Sequence, residues 1–478
     1  MKMIIDGKLV DASRGELMKI TCPATNQLLD TVPNATKEDV DAAVAAARRG
    51  QKAWAAYPIY QRAEILYKFL ELVEADKDRL AQTLCHETGK PITEARREIG
   101  NIPIAFKAFI EKGKHLYGET LPTGAEAGQE NHLQIVVREP LGIIVAIIPF
   151  NVPGNLFSQK VAPSLMAGNA VIVKPPHQNP LTICMLAACL REAGVPDGAI
   201  QTVTGWGPEA GSYLTNHPDV HAITFTGSTA VGIATAQAAA KHLTHITLEL
   251  GGNDPFIVCA DADIDLAIEE VVSGRMVNTG QICCASKRFI VHNSIKDEFT
   301  EKVVERLKKL KLGPIDDPAT QLGCLISEEA AKRVEEQVNK TVAQGGKIVL
   351  GGARDGAFYQ PTVIADVPRS ADIALDMEVF GPVVPVIGFD TIEEAIEIAN
   401  ASKYGLSGCV FSQDFKKAYH VVSQLECGST VINGASFLRS FEMPFGGCKY
   451  SGIGRERALS TYDEVTRSKV ILLKNLLQ

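Results

Sequence analysis

The sequence predicts an α/β protein built on parallel, doubly wound sheets of the Rossmann-like kind, with a small β extension. Apolar, β-branched runs alternate with amphipathic runs along most of the 478 residues, which is the pattern of strand–helix–strand units. Glycine-rich turns follow several of the apolar runs, as expected where a parallel strand leads into a helix. The length suggests two or three domains.

The first half of the chain contains the elements of one doubly wound sheet. Two helices are expected at 39–55 and 60–83, before a buried strand at 141–148. Shorter elements then alternate. The expected strands are 170–173, 200–204 and 222–225, and the expected helices are 161–167, 181–193 and about 230–241.

The second half repeats the alternation in a second block. An alternating polar run at 130–139 is expected to be an edge strand that leaves the first block, and 470–477 is expected to pair with an edge of this or another subunit. The expected strands are 255–259, 288–292, 347–350, 383–389, 408–411 and 429–432, and the expected helices are 263–277, 295–310, 328–343, 392–400 and 414–424.

The composition excludes several classes of partner. A net charge of −8 and the absence of basic runs argue against nucleic acid and anionic membranes. No apolar stretch approaches the length of a transmembrane helix, and the first residues do not resemble a signal peptide. The eleven cysteines form no CxxC pair and have no Cys/His spacing typical of zinc, so no metal is expected. Free thiols favour a reducing, cytoplasmic location.

Glycine-containing turns follow two of the expected strands. In Phe225-Thr-Gly227-Ser228 a strand ends and a helix begins, so free backbone N–H groups suit a phosphate. A simple capped helix explains this segment equally well. The segment around Gly207 and Gly211 resembles a GxGxxG fingerprint with one extra residue, which is weak evidence by itself.

Polar side chains follow two other strands. Ile148-Pro149-Phe150-Asn151 ends a buried strand, where an open α/β sheet binds ligands, and Asn151 has an amide suited to a developing oxyanion. An asparagine in a tight proline turn is the alternative. Lys174, before two prolines and His177, suits a ribose or a phosphate, although an ordinary solvated lysine also fits.

A cysteine and a separate glutamate are candidates for covalent chemistry. Cys283 follows a Gly-Gln turn that makes an accessible thiol plausible, whereas Cys284 is expected to point the other way and to be structural. Glu249 is followed by Leu250 and two glycines, where an unpaired buried carboxylate is costly. The pair supplies a nucleophile and a general base, although most lone cysteines are buried and inert. Glu378, on a proline-stopped loop, is either another functional acid or part of a surface turn.

Together these segments resemble the aldehyde dehydrogenase superfamily over nearly the whole chain. The segments that carry the resemblance occur in the family's order and spacing. They are Pro-Phe-Asn-Val-Pro, Phe-Thr-Gly-Ser, Leu-Glu-Leu-Gly-Gly, Gly-Gln-Ile-Cys, Glu-Val-Phe-Gly-Pro, and the C-terminal Pro-Phe-Gly-Gly with Ser-Gly-Ile-Gly-Arg-Glu.

The resemblance implies an NAD- or NADP-dependent, non-acylating enzyme. Cys283 would attack the aldehyde carbon, Asn151 would stabilise the oxyanion, and Glu249 would activate water to hydrolyse the thioester. Cofactor contacts are implied for a set of residues at the strand ends and on the Glu378 loop. This set is Ile148, Pro149, Lys174, His177, Gly207, Gly211, Phe225, Gly227, Ser228, Leu250, Glu378 and Phe380.

Departures from the family pattern bear on specificity. Members that prefer NAD often carry glutamate where this chain has His177, so the cofactor is NAD or NADP. Arg439 and Gln159 fall where family members line the substrate site, and a guanidinium suits an anionic tail. Arg439 instead pairing with Glu442 is the alternative. Arg275 also resembles a feature of lactaldehyde- and semialdehyde-oxidising members, but an ion pair formed by a helix residue explains this arginine equally.

The expected reaction is oxidation of a small polar or anionic aldehyde, of the lactaldehyde, phosphonoacetaldehyde or semialdehyde type. The alternatives are a broad or aromatic aldehyde range, or a catalytically idle binding protein of the same fold. The resemblance implies a homo-oligomer, dimer or tetramer. It divides the chain into a cofactor domain (1–117 and 137–250), a catalytic domain (251–450) and an oligomerisation segment (118–136 and 463–478).

Overall fold

A computed structural model describes residues 1–457 and 459–477 of the chain. Gln478, the last residue of the predicted oligomerisation segment, lies outside the described residues.

The helices occupy most of the ranges between the strands. They are α1 (Lys37–Ala55), α2 (Ile59–Ala75), α3 (Lys77–Thr88), α4 (Ile92–Lys114), α5 (Pro153–Met166), α6 (Leu181–Ala193), α7 (Ser212–Thr215), α8 (Thr229–Ala240), α9 (Ile264–Val271), α10 (Lys296–Lys308), α11 (Glu328–Ala343), α12 (Ile392–Asn400), α13 (Phe415–Gln424) and α14 (Ser460–Val465).

The strands are short, as is usual in α/β proteins. They are β1 (Met3–Ile5), β2 (Lys8–Val10), β3 (Leu17–Thr21), β4 (Leu28–Pro33), β5 (Glu119–Leu121), β6 (Leu133–Pro140), β7 (Ile143–Ile147), β8 (Ala170–Lys174), β9 (Ile200–Thr202), β10 (Ala222–Thr226), β11 (His245–Glu249), β12 (Asp254–Val258), β13 (Ser286–His292), β14 (Lys347–Leu350), β15 (Arg354–Asp355), β16 (Phe358–Tyr359), β17 (Thr362–Ala365), β18 (Val383–Phe389), β19 (Tyr404–Gly405), β20 (Ser407–Phe411), β21 (Ser429–Ile432), β22 (Cys448–Lys449), β23 (Gly452–Ile453) and β24 (Thr466–Leu473).

The first large sheet has the doubly wound order that the sequence predicts. Its strands lie in the order β2-β1-β9-β8-β7-β10-β11-β23, and β9, β8, β7, β10 and β11 are parallel. From β7 the chain runs outward through β8 and β9, and then returns to the other side of β7 as β10. The carboxyl ends of β7 and β10 therefore form a switch point, where open α/β sheets bind ligands.

The second large sheet begins where the first one ends. Its order is β14-β17-β18-β13-β12-β20-β21, and only the edge strand β14 runs antiparallel to its neighbour. The chain leaves β11 at Glu249 and enters β12 at Asp254. Only a few residues therefore separate the carboxyl edge of the first sheet from the amino edge of the second.

The C-terminal strand pairs within the same chain. β24 lies antiparallel to β6 from Thr466↔Pro140 to Leu473↔Leu133, and β5 completes a three-stranded sheet. The predicted edge strand at 130–139 is thus β6, and the predicted C-terminal strand begins earlier than 470. Together with the two parallel sheets, this small sheet confirms the predicted fold class.

Several helices start where the sequence supplies a capping side chain. The Thr36 hydroxyl accepts a hydrogen bond from the backbone N–H of Asp39, and the Asp39 carboxylate accepts one from the backbone N–H of Thr36, which makes a capping box for α1. Asp263, Ser327 and Thr391 cap α9, α11 and α12 in the simpler way. These local signals explain why helix starts in the second half are predicted well.

Three helical predictions are wrong in extent. The expected helix at 60–83 is broken at Asp76 into α2 and α3, and the helix expected at 161–167 begins already at Pro153, a residue favoured in the first turn. The helix expected at 263–277 is α-helical only to Val271 and continues as a π turn over Val272–Met276.

Sequence analysis misses one long helix, the short helices α7 and α14, and several strands, among them β1 to β5, β15, β16, β19, β22 and β23. α4 contains Gly100 and Pro103, which disfavour a helix, yet its buried face recurs at helical spacing through Ile99, Ile102 and Phe106. Burial of this face against α5 and the first sheet overrides the local propensity. The strands β11 and β17 are also missed.

Candidate active site

A cleft of about 540 Å³ lies at the switch point of the first sheet. Loops that follow β7, β8 and β10 line one side, and residues of α11 and of the loop before β18 line the other. A cleft of this size is adequate for a small-molecule ligand or part of a dinucleotide.

Most residues predicted from the sequence come together in this cleft. They arrive from strand ends that are far apart in the chain, because parallel strands present their carboxyl ends at one edge. The predicted residues that line it are Ile148, Pro149, Asn151, Lys174, His177, Phe225, Gly227, Ser228, Leu250, Cys283, Glu378 and Phe380.

Five predicted residues do not line the cleft. Gly207 begins an exposed π turn, and Gly211 ends it near the Lys174 side chain. Glu249 and Gln159 are buried behind the cleft, and Arg439 lies on the loop that follows β21. The cofactor role of the two glycines stays a prediction.

The two adjacent cysteines are coupled in their ionisation. The Cys284 thiol raises the pKa of Cys283, and the Cys283 thiol lowers the pKa of Cys284, while the positive charges of Arg439 and Lys287 act to lower both. The two protons are therefore lost in steps that belong to the pair. Residues 283–284 lie in a turn before β13, where Cys283 lines the cleft and Cys284 is buried and does not line it, and the structural role expected of Cys284 stays a prediction.

The backbone that leads to the thiol pair is strained. Asn278 and Thr279 have φ values of 51° and 54°, in the left-handed region that non-glycine residues avoid, above all β-branched ones. Gly280 follows with φ 76°, and a Cβ there would collide with the carbonyl oxygen of Gly381. Gln281 holds the turn, since its Nε2 donates to Asn278 O at 3.1 Å and its Oε1 accepts from Ile326 N at 2.9 Å.

Asn151 is held in place through its backbone carbonyl. Asn278 Nδ2 and Lys90 Nζ each donate to Asn151 O at 2.9 Å, and Lys90 also forms a buried ion pair with Glu98. Glu94 Oε2 accepts from Asn278 N at 2.9 Å, so α4 binds both the Asn151 loop and the cysteine turn. Burial raises the pKa of Glu94 to about 7. This set of contacts fixes the distance between the amide and the thiol pair.

Glu249 is 2% exposed, and its two carboxylate oxygens have no hydrogen-bond partner among the described residues. Burial, together with the nearby Glu456, raises its pKa well above the ordinary glutamate value. Glu456 itself pairs with the buried Lys160, and both contact Thr224 Oγ1, at 3.1 and 2.9 Å. A carboxylate with a raised pKa and free oxygens is suited to take a proton from water.

The side of the cleft opposite the thiols fits a nicotinamide dinucleotide. The rings of Phe150 and Phe380 lie edge to face with centroids 5.9 Å apart. Glu378 accepts from Gly252 N at 3.2 Å and pairs with Lys287 at 3.1 Å, which leaves acceptor capacity for ribose hydroxyls. α8 begins at Ser228 without a side-chain cap, so its first N–H groups are free for a phosphate.

Two side chains further along the cleft bear on cofactor choice. Burial lowers the pKa of Lys174 to about 8, and its Nζ donates to Pro175 O at 3.0 Å. Burial and then Lys174 lower the pKa of His177 to about 4, and its ring lies 4.8 Å from that of Trp206. His177 is therefore neutral at pH 7 and does not repel a phosphate.

The two arginines considered for substrate binding have different surroundings. Arg275 is buried on the π turn after α9 and donates to Val383 O at 2.7 Å and Val379 O at 2.9 Å, so the ion pair considered for it is replaced by backbone carbonyls. Arg439 donates Nε to Phe437 O at 3.0 Å, and its Nη1 is buried without a partner. Glu442 pairs with Lys112 at 2.8 Å rather than with Arg439.

Gln159 lies on α5, the helix that follows the Asn151 loop. It is 3% exposed, and its Oε1 has no hydrogen-bond partner among the described residues. An unsatisfied buried amide oxygen suits contact with a polar ligand, and the substrate role of Gln159 stays a prediction.

Sequence analysis misses Lys90, Glu94, Glu98, Lys160 and Lys287. Lys287 is 1% exposed and joins the two halves of the site, because it donates to Cys283 O and pairs with Glu378. Its position four residues after Cys283 is a weak signal, since a strand residue is more often an ordinary surface lysine. Lys90 contacts Asn151, which is 61 positions away in the chain, and Lys160 contacts Glu456, which is 296 positions away. No local sequence pattern reveals such contacts.

Comparison with known proteins agrees with this geometry. The model of the aldehyde dehydrogenase family matches residues 9–471. The chain belongs to the aldehyde dehydrogenase family. It is 36% identical to 3-sulfolactaldehyde dehydrogenase of Pseudomonas putida over 98% of this chain and 96% of that protein. It is also 36% identical to succinate-semialdehyde dehydrogenase [NADP(+)] GabD of Escherichia coli (strain K12), over 95% and 93% of the two chains.

Solved aldehyde dehydrogenases have the same fold. Betaine aldehyde dehydrogenase of Staphylococcus aureus in complex with NAD+ superposes with a TM-score of 0.96 at 34% identity, covering 100% of this chain and 95% of that one. The family resemblance and the prediction of an NAD- or NADP-dependent aldehyde dehydrogenase are confirmed. Within the described residues, no helix combines the length and apolar character that crossing a bilayer requires.

Proposed function

We propose that this aldehyde dehydrogenase oxidises a small polar or anionic aldehyde to the carboxylic acid through covalent intermediates on Cys283. The observation that carries the proposal is that Cys283 and Asn151 line one cleft, while Glu249 is buried and both of its carboxylate oxygens lack a hydrogen-bond partner among the described residues. A binding protein of the same fold would not require this set, so the idle alternative is disfavoured.

The chemistry follows from these three groups. The Cys283 thiolate attacks the aldehyde carbon, and the Asn151 amide and the Cys283 backbone N–H stabilise the oxyanion of the thiohemiacetal. When bound, the nicotinamide supplies the hydride acceptor that turns this adduct into a thioester. Glu249 then removes a proton from water, which hydrolyses the thioester and releases the acid and the thiolate.

The residues that would hold the dinucleotide are those of the cleft. Phe150 and Phe380 pack at the nicotinamide, Glu378 accepts from the adjacent ribose, and Ser228 presents the start of α8 to the pyrophosphate. Lys174 lies at the adenosine end. The contacts described above support these roles because all of these groups line the same cleft.

Both cofactors are expected to be used, because His177 is neutral. His177→Glu is expected to raise KM for NADP about tenfold relative to NAD, since a carboxylate repels the 2′-phosphate. Steady-state kinetics with each cofactor measure this ratio, and His177→Gln is the matched control without charge. Equal NADP kinetics in wild type and His177→Glu would show that the residue does not face the ribose.

Arg439 supports the choice of an anionic substrate. Relatives of this chain are named for sulfolactaldehyde, succinate semialdehyde and glutarate semialdehyde, which all carry an anionic tail. The unpaired Nη1 of Arg439 is available for such a tail. A broad or aromatic aldehyde range is the second candidate, and phenyl rings 437, 441 and 445 near Arg439 give it some support.

The test compares aldehydes in one variant. Arg439→Gln is expected to raise KM for succinic semialdehyde and phosphonoacetaldehyde roughly ten- to a hundredfold, because a charge-assisted hydrogen bond to the tail is lost. The KM for propanal is expected to stay unchanged. Formation of reduced cofactor is followed for wild type, Arg439→Gln and the surface control Arg306→Gln. A uniform loss on all aldehydes would give Arg439 a structural role and remove the support for an anionic substrate.

A further inference from the structure

Arg457 adopts a backbone conformation that is unfavourable for its residue type. Its φ is 70°, in the left-handed region, where a Cβ is disfavoured and glycine is preferred. It directly follows Glu456, the carboxylate that pairs with Lys160 behind Glu249. A strained non-glycine residue at this place points to a function of the side chain.

The Arg457 guanidinium shares one phenyl ring with Arg439. Its Cζ lies 5.7 Å from the ring centroid of Phe445, and Arg439 Cζ lies 4.1 Å from the same centroid. The Phe441 ring lies 5.1 Å from Arg457 Cζ. Cation–π contacts therefore hold two like charges next to each other on one aromatic surface.

Neither guanidinium has its charge balanced by a direct partner. Arg457 Nε and Arg439 Nη1 are buried without a hydrogen-bond partner, and neither arginine forms an ion pair within residues 1–457 and 459–477. Arg457 Nη1 donates only to Ser440 O, at 3.3 Å. Of the nearby carboxylates, Glu442 pairs with Lys112 and Glu456 with Lys160, and Glu249 forms no ion pair with either guanidinium among the described residues. Unpaired, partly buried cations of this kind are costly and favour an anion between them.

This pair of charges lies beside the thiol pair. Phe445 packs in one apolar cluster with Cys283 and Cys284, and Ser436 Oγ donates to Cys284 O at 2.9 Å. The two guanidinium groups therefore contact a phenyl ring that belongs to the same apolar cluster as the two cysteines. A short aldehyde bound to Cys283 would place its far end toward them.

We propose that Arg457 is a second substrate-binding residue, which together with Arg439 takes an aldehyde whose tail is a tetrahedral oxyanion, a sulfonate or a phosphonate. This inference rests on the proposed oxidation at Cys283 and extends its substrate class. One guanidinium fork satisfies the two coplanar oxygens of a carboxylate. A second fork is useful when the tail has a third oxygen out of that plane, which a sulfonate or phosphonate supplies.

The glycine variant separates this role from a structural one. Arg457→Gly removes the guanidinium and suits the positive φ, so the melting temperature is expected to stay equal or rise. For phosphonoacetaldehyde, kcat/KM is expected to fall roughly ten- to a hundredfold, for succinic semialdehyde by a clearly smaller factor, and for propanal within about twofold. In the double variant Arg439→Gln/Arg457→Gly, kcat/KM for phosphonoacetaldehyde is expected to fall by a smaller factor than the product of the two single-variant factors. The effects are not independent, because both residues bind one group.

Binding of an unreactive anion keeps the two proposals distinguishable. Calorimetric titration with 2-hydroxyethanesulfonate is expected to detect binding to wild type and to Cys283→Ala, and to lose it in Arg457→Gly. Detected binding with no oxidation of any aldehyde would refute the proposed function alone. Three outcomes would each overturn the role of Arg457. The first is an unchanged titration in Arg457→Gly, and the second is an equal loss of kcat/KM for the phosphonate aldehyde, the carboxylate aldehyde and propanal. The third is a lowered melting temperature with loss of all activities.

Discussion

At the scale of single residues, the adjacent thiols determine how the nucleophile is ionised. An isolated cysteine with little solvent contact would stay protonated at neutral pH, because burial raises its pKa, as it does to about 12 at Cys85. At Cys283 the adjacent Cys284 thiol and burial raise the pKa, whereas the positive charges of Lys287 and Arg439 lower it. Cys283, which lines the cleft, is the nucleophile that we propose, and the buried Cys284 acts on its ionisation.

This arrangement predicts a pH-dependent effect of Cys284. Cys283→Ala is expected to abolish oxidation while cofactor still binds. Cys284→Ala removes the neighbouring thiol that raises the pKa of Cys283, so the pKa of the remaining thiol is expected to fall, and alkylation and activity are expected to rise at pH 6 and to stay close to wild type at high pH. The pH profile of iodoacetamide inactivation measures the shift. An active Cys283→Ala together with a dead Cys284→Ala would reverse the assignment.

Lys287 is the residue that joins the nucleophile to the cofactor side of the cleft. Its ammonium group donates to Cys283 O and pairs with Glu378 at 3.1 Å, and it lies 5.8 Å from the centroid of the Phe380 ring. Sequence analysis identifies Cys283, Glu378 and Phe380, because each lies in a recognisable motif. It cannot identify Lys287, since the role exists only once β13 brings these motifs together.

At the scale of elements, α4 is the support behind the site. Lys90 and Glu94, just before and within its first turn, bind the carbonyl of Asn151 and the N–H of Asn278. Glu98 accepts from Gly154 N at 2.7 Å and so holds the start of α5. A change on α4 therefore alters the distance between the Asn151 amide and Cys283 without touching either group.

The expected effect separates stability from positioning. Lys90→Met leaves Glu98 buried without its cation, and should lower the free energy of unfolding by about 3–5 kcal/mol. The charge-neutral double variant Lys90→Met/Glu98→Gln should regain most of this stability but keep kcat reduced by roughly tenfold, since Asn151 O has lost a donor. Chemical denaturation and kcat are measured on both variants. A double variant with restored stability and full kcat would exclude the positioning role.

At the scale of the whole molecule, two parallel sheets meet edge to edge and the site occupies the junction. This much follows from the sequence, because strand ends with Asn151, Lys174, Ser228 and Glu249 meet at one edge of any doubly wound sheet. α4 could not be predicted, because burial of Ile99, Ile102 and Phe106 compensates for Gly100 and Pro103 only in the folded protein. The ionisation of Cys284 was equally out of reach, since it depends on a turn and on remote charges.

The small sheet of β5, β6 and β24 leaves an apolar strand uncovered. Val470, Ile471, Leu472 and Leu473 are exposed, and such a patch favours association. The predicted homo-oligomer, the three domain ranges and the cytoplasmic location stay predictions. The free state of all eleven cysteines fits a reducing location.

Cys283 carries the thioester and Glu249 activates the water that hydrolyses it, and rapid-quench kinetics of Glu249→Gln test this division of roles. Hydride transfer precedes thioester hydrolysis, so a burst of one reduced cofactor per active site is expected, followed by slow turnover. The thioester should be recoverable on Cys283 after acid quench, with Glu456→Gln as a control for charge lost nearby. A variant with no burst, in which acylation itself is lost, would contradict the account.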